Sequence, residues 1–216
     1  MANKTIINLN IIKQQIELKK KKTQIIAVTK TFTMDSISPL IDSGHIHYGE
    51  NKVQEAVEKW SLIKNKHKDI KLHLIGKLQS NKVKYILPLF DYIHSLDNIK
   101  LAEKISLEQE KKNFKPKIFV QVNIGKEAQK NGIDIEDLEK FLNLCKNNYD
   151  LNIIGLMCIP PNNNRSNIYF DEMSKLGKKF NLFELSMGMS SDYINAIDNG
   201  ATFIRVGSKI FGNRAS

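Results

Sequence analysis

The chain has 216 residues, 33 Lys and Arg against 23 Asp and Glu, a formal net charge of +10 and two cysteines. That length suits one large domain or two small ones with a substantial core, and no apolar run approaches the ~18 residues needed to span a bilayer. The basic excess is nearly all lysine, with arginine only at Arg165, Arg205 and Arg214; bidentate recognition of bases and phosphates favours arginine, so a nucleic-acid role is set aside. The start, "MANKTIINLN", is too polar for a secretory signal. Cys145 and Cys158 have no paired spacing and read as buried, inert thiols in a reducing compartment, which places the protein in the cytoplasm.

In chain order, "IINLNIIKQQIELKKKK" carries apolar residues at helical spacing and a basic end, and predicts an amphipathic helix whose lysines suit its C-terminal dipole. Short strand-like runs then alternate with helical stretches. The runs are 23–29, 45–48, 71–75, 91–96, 117–124, 151–157, 182–187 and 202–207, eight in all. Between them lie "DSISPLIDSG", "KVQEAVEKWSLIK", "NKVKYILPLF", "NIKLAEKISLEQEKK", "DIEDLEKFLNLCKNN", "SNIYFDEMSKLGKKF" and "SDYINAIDNG", and a tail, "SKIFGNRAS", follows. Strands alternating with helices imply right-handed crossovers and a parallel sheet. Eight such units predict an α/β fold, a single (β/α)8 TIM-type barrel with an extra N-terminal helix. An open doubly wound sheet would carry a Gly-rich first turn, and "TKTFT" is not one. The loosest stretch, "PPNNNRSN", reads as a loop after the sixth strand, so residues 1–216 are taken as one domain.

A parallel barrel places its chemistry at the C-terminal ends of its strands. Lys30 follows the apolar run "IIAVT" at such an end; in so lysine-rich a chain it is either a solvated lysine past a strand or an amine at the barrel rim. The loops after strands 7 and 8 offer Ser186, Gly188 and Ser190, then Gly207 and Ser208, small residues and hydroxyls of the kind that let backbone N–H groups approach a phosphate. Arg205 shares a strand face with Phe203. It is costly to bury alone, so it has either a carboxylate partner in the core or a ligand. A lysine, a phosphate turn and a strand arginine at one mouth point to pyridoxal 5′-phosphate (PLP), with an aldehyde for the lysine, a phosphate for the turn and a ring nitrogen for the arginine.

The stretches "AVTKT", "YGENKVQE", "HLIGKLQSNK", "QVNIGKEAQKNG", "GLMCIP", "LSMGMSSDYINAI" and "IRVGSKIFG", in order along almost the whole chain, resemble those of the pyridoxal-phosphate homeostasis proteins, PLP-binding relatives of the alanine racemase N-terminal barrel. The resemblance implies PLP fold type III. It puts Lys30 on the family's Schiff-base lysine, Ser186, Gly207 and Ser208 on phosphate-contacting positions, and Arg205 opposite the ring nitrogen. It places Asn51, His73 and Met157 in motifs near the cofactor. Lys130 falls on a family lysine whose role stays open between a second cofactor acceptor and a solvated loop residue. Ser208 stands where many relatives have Thr, and Met187 where Leu is commoner.

The function so implied is intracellular PLP homeostasis, by buffering or delivery to apo PLP-dependent enzymes, without catalytic turnover and as a monomer. The alternative is a racemase-like PLP enzyme using His73, Tyr48 or Lys30 as acid and base. With the chain read as ending at Ser216, just after the eighth strand, no second domain of the kind that supplies an acid/base in the racemases is expected. A permanently charged arginine at the ring nitrogen also disfavours the protonated pyridine that carbanion chemistry needs.

Overall fold

The computed structural model describes residues 3–127 and 129–212; the last four residues of the predicted tail lie outside them. The strands are β1 (Gln24–Val28), β2 (His47–Glu50), β3 (Lys71–Leu74), β4 (Tyr92–Leu96), β5 (Lys117–Val122), β6 (Ile153–Cys158), β7 (Glu184–Ser186) and β8 (Phe203–Val206). They form a closed parallel barrel in sequence order, β8 pairing back on β1 with Ala27 opposite Val206. Around it lie α1 (Lys4–Leu18), α2 (Met34–Asp42), α3 (Val53–Lys66), α4 (Val83–Ile86), α5 (Ile99–Lys112), α6 (Leu138–Asn147), α7 (Ser166–Lys179), α8 (Tyr193–Asp198) and α9 (Ser208–Phe211). The TIM-type barrel with its additional N-terminal helix is as expected.

Local chemistry sets the boundaries. Asn98 caps α5 by accepting from Leu101 N at 2.9 Å, and Asn113 ends that helix at φ 47°, the left-handed conformation that asparagine tolerates. The ten residues expected as a helix before β4 form a 3-10 turn and a single α turn. Pro88 is the reason, since it forces Leu87 to extended backbone at ψ 129°. The lysine run does not close α1 as expected: the helix stops at Leu18, Lys19 caps it, and Lys20 turns the chain at φ 52°. Strand β2 begins and ends two residues later than its sequence suggests, because Gly49 and Glu50 pair with His73 and Leu74.

Two apolar layers result. The larger lies between sheet and helices. The smaller fills the barrel with Ile26, Tyr92, Phe119, Met157 and Phe203. Strands β6 and β7 approach so closely at Gly155 that a Cβ there would lie 1.9 Å from the Glu184 carbonyl oxygen. Neither backbone has a flexible end to yield. Gly155→Ala is therefore expected to destabilise the barrel at the upper end of the about 1–3 kcal/mol typical of overpacking, read as a lowered urea midpoint.

Candidate functional site

A cavity of about 550 Å³ opens at the C-terminal ends of the strands, within the range of small-molecule sites. Lys30, Asn51, Arg205, Gly207 and Ser208 all line it. The cavity thus brings together five of the eight residues that the resemblance places at or near the cofactor. Val28, Phe32, Ile75 and Ile159 supply apolar wall, and Met189, Ser190 and Ser191 come from the loop after β7.

Lys30 is held from both sides. Lys59 Nζ on α3 donates to the Thr29 carbonyl at 2.9 Å, and the Thr31 amide donates to Glu55 Oε1 at 2.6 Å. Thr31 itself sits at φ 69°, a region costly for a β-branched residue. The same lysine bridges Glu55 and the fully buried Glu50, each at 3.0 Å. Glu50 Oε1 also accepts from Thr29 Oγ1 at 2.7 Å and Trp60 Nε1 at 2.9 Å. The amine thus leaves a turn pinned by three charged side chains. On the adjoining strand edge, Gly76 passes Asn51 so closely that a Cβ would meet the Asn51 carbonyl oxygen at 2.3 Å, which fixes the backbone of that lining residue.

Across the cavity, the loop offers donors. Among the described residues the amides of Ser190, Ser191 and Ser208 meet no acceptor, and all three serines line the cavity. The sequence places Ser190 in this loop, but it is Ser186 that the family resemblance assigns to the phosphate. The structure separates the two. Ser186 is fully buried in β7, below the cavity, and its hydroxyl is engaged by Arg205 Nη1 and His94 Nδ1 at 2.8 Å each. Of the serines at and after β7, Ser190 and Ser191 are the ones on the cavity wall.

Arg205 is 5% exposed. Among the described residues no carboxylate pairs with it, so the expected choice between core ion pair and ligand falls away from the ion pair. Its partners are Ser186 Oγ and, through Nη2, the Cys158 carbonyl at 2.9 Å. His73 and Met157 lie in the barrel interior and do not line the cavity. Tyr48, proposed with His73 as an acid/base, is also buried and donates to the His45 carbonyl at 2.9 Å. Burial raises its phenol further from titration at neutral pH. Cys145 and Cys158 are buried, and burial pushes both thiols up to about 12. Lys130 pairs with Glu127 at 2.5 Å and reaches the Pro160 carbonyl at 3.5 Å, beside the cavity rather than on its wall. No helix among the described residues is long and apolar enough to cross a membrane.

The chain matches the family described as "Alanine racemase, N-terminal domain" over residues 5–215. It is 37% identical to the pyridoxal phosphate homeostasis protein of Buchnera aphidicola subsp. Schizaphis graminum, over 98% of this chain and 99% of that one. It is 36% identical to the protein of that description in Aquifex aeolicus, over 88% and 87%. PipY of Synechococcus elongatus PCC7942, solved with PLP bound, is 35% identical and superposes with a TM-score of 0.80 over 92% of this chain and 99% of that one. An alanine racemase of Clostridium difficile shares the fold at 14% identity, with a TM-score of 0.73 over 98% of this chain and 57% of its own.

Proposed function

Because the chain belongs to the alanine racemase N-terminal domain family, among its pyridoxal phosphate homeostasis proteins, we propose that it binds PLP through Lys30 as a Schiff base and serves intracellular PLP homeostasis without catalytic turnover. The observation that carries this reading is the convergence of Lys30, Arg205 and two serine-bearing loops on one cavity. The residues fit the cofactor. Ser190, Ser191, Gly207 and Ser208 present the small side chains and hydroxyls a phosphate needs, Arg205 brings guanidinium donors for a ring nitrogen, and Val28, Ile75 and Ile159 provide apolar wall. PLP supplies an aldehyde that condenses reversibly with a primary amine, with loss of one water. The pinned turn at Thr29–Thr31 aims the Lys30 amine. Arg205 keeps a positive charge at the cavity floor and so opposes protonation of a base placed against it. The groups an enzyme would need in place of these, Tyr48 and His73, are engaged in the core. We read the chain as one domain, monomeric and cytoplasmic, handing PLP to apo PLP-dependent enzymes and binding no nucleic acid.

The test loads the purified protein with PLP, records its absorption, reduces it with borohydride and maps the adduct by mass spectrometry. The expected result is a single adduct on Lys30, with loss of the bound chromophore in Lys30→Ala. A wild type that takes up no PLP, or a Lys30→Ala protein labelled like wild type, would sink the cofactor reading. Sustained α-proton exchange from amino acids in deuterated buffer would overturn the absence of turnover.

A further inference from the structure

A row of buried side chains runs down the barrel from Arg205. Arg205 Nη1 meets Ser186 Oγ at 2.8 Å, and Ser186 Oγ meets His94 Nδ1 at 2.8 Å. His94 Nε2 meets His73 Nδ1 at 2.9 Å, and His73 Nε2 meets His47 Nδ1 at 2.9 Å. Successive strands β4, β3 and β2 contribute the three imidazoles. Two are clamped by rings, His73 stacked on Tyr92 at 4.1 Å and His94 on Phe119 at 4.3 Å between centroids.

The direction of every bond follows from one fact. A guanidinium only donates, so Ser186 accepts from Arg205. The serine proton then needs an acceptor in a fully buried place, and among the described residues His94 Nδ1 is its sole other partner. A neutral imidazole carries one proton. His94 therefore donates from Nε2 to His73, and His73 from Nε2 to His47. The reverse polarity would leave the serine hydroxyl buried with no acceptor. All three rings are one tautomer, and their dipoles point acceptor-first toward the guanidinium.

We propose that Ser186, His94, His73 and His47 are positioning residues: a one-way hydrogen-bonded column that stands in place of a carboxylate and holds Arg205 in the cavity floor as a cation whose charge is not neutralised. A carboxylate in that place would cancel the charge. A column of neutral dipoles orients the guanidinium and leaves its field intact. The consequence for PLP rests on the reading above; the column itself does not.

The experiment therefore begins on the protein without PLP. Long-range ¹H–¹⁵N spectra of ¹⁵N-histidine protein at neutral pH should show His47, His73 and His94 each protonated at Nε2 and bare at Nδ1. Arginine ¹⁵N spectra should show hindered guanidinium rotation at Arg205. That hindrance should weaken measurably in Ser186→Ala and in His94→Leu, the bond from Nη2 to the Cys158 carbonyl remaining. It should persist in His94→Gln, whose carbonyl accepts from Ser186 and whose amide donates to His73. Wild-type rings protonated at Nδ1, or hindrance unchanged in Ser186→Ala, would overturn the column, and these readouts stand even where His94→Leu fails to fold. In the loaded protein, Ser186→Ala should bind PLP about tenfold more weakly, the loss of one charge-assisted bond, while the borohydride adduct stays on Lys30. Unchanged affinity would refute the cofactor-side role. A wild type blind to PLP would defeat the cofactor reading and leave the spectra without PLP to decide the column.

Discussion

Stability is expected to fall by about 5 kcal/mol for each pH unit on acidification below 6.5. Burial holds His45 and His47 down to about 4, and His73 and His94 well below their ordinary value of 6.5. In the unfolded chain these rings take a proton near 6.5. Between that pH and the folded values the unfolded state binds protons that the folded state refuses. Folded-state pKa values are depressed, so stability is full above 6.5 and is lost as pH falls toward 4. Each such ring contributes about 1.4 kcal/mol per pH unit in that window, and four act together. A domain has about 5–15 kcal/mol in all, so acid unfolding should come before most carboxylates titrate. Urea unfolding at pH 7.5, 6.5, 6.0 and 5.5 measures the slope. His94→Gln, which removes one titrating ring, should lower it by about a quarter. A flat profile from pH 7 to 5 would mean that the rings are solvated.

Lys59→Met should cost about 3–5 kcal/mol, the penalty for leaving a buried charge without its partner. The Lys59 side chain is 10% exposed and that of Glu50 is 0%. Glu50 Oε2 has no partner among the described residues, so Lys59 and the two donors on Oε1 carry the whole burden of that carboxylate. Methionine keeps the packing of the stem and removes the charge. Combining it with Glu50→Gln removes the stranded anion and should recover most of the loss. Chemical denaturation of the two singles and the double closes the cycle. A single variant costing less than about 1 kcal/mol would place the pair in solvent, as for exposed ion pairs. The same substitution frees the Thr29 carbonyl, so Lys30 should lose part of its orientation.

The barrel was legible because its eight apolar runs are short and the stretches between them are long enough to be crossovers. Lys30, Asn51, Arg205, Gly207 and Ser208 were legible because strand ends in this fold point at one mouth. That Ser190 lies on the cavity wall and Ser186 below it was not. In "LSMGMSSD" the apolar Leu185 and Met187 look like a strand still running, whereas β7 is three residues long and ends at Ser186, inside the barrel. The histidine column leaves a trace in the sequence: "HIHY", "KLHLI" and "YIHSL" each carry a histidine within a strand-like run. Nothing in any one of these runs links its histidine to the other two. Only the barrel's stagger stacks them into hydrogen-bond contact.

The pairing of β1 with β8 sets the cavity astride the place where the sheet closes on itself. Lys30 belongs to one lip of that junction, Arg205 and Ser208 to the other. During synthesis the first lip is made early and the second almost last, some 175 residues later by the sequence numbering. A half-made chain can display the amine but not the cradle. Competence to hold a ligand thus arrives in one step, with the shutting of the cylinder, and an occupant gripping both lips would act as its clasp.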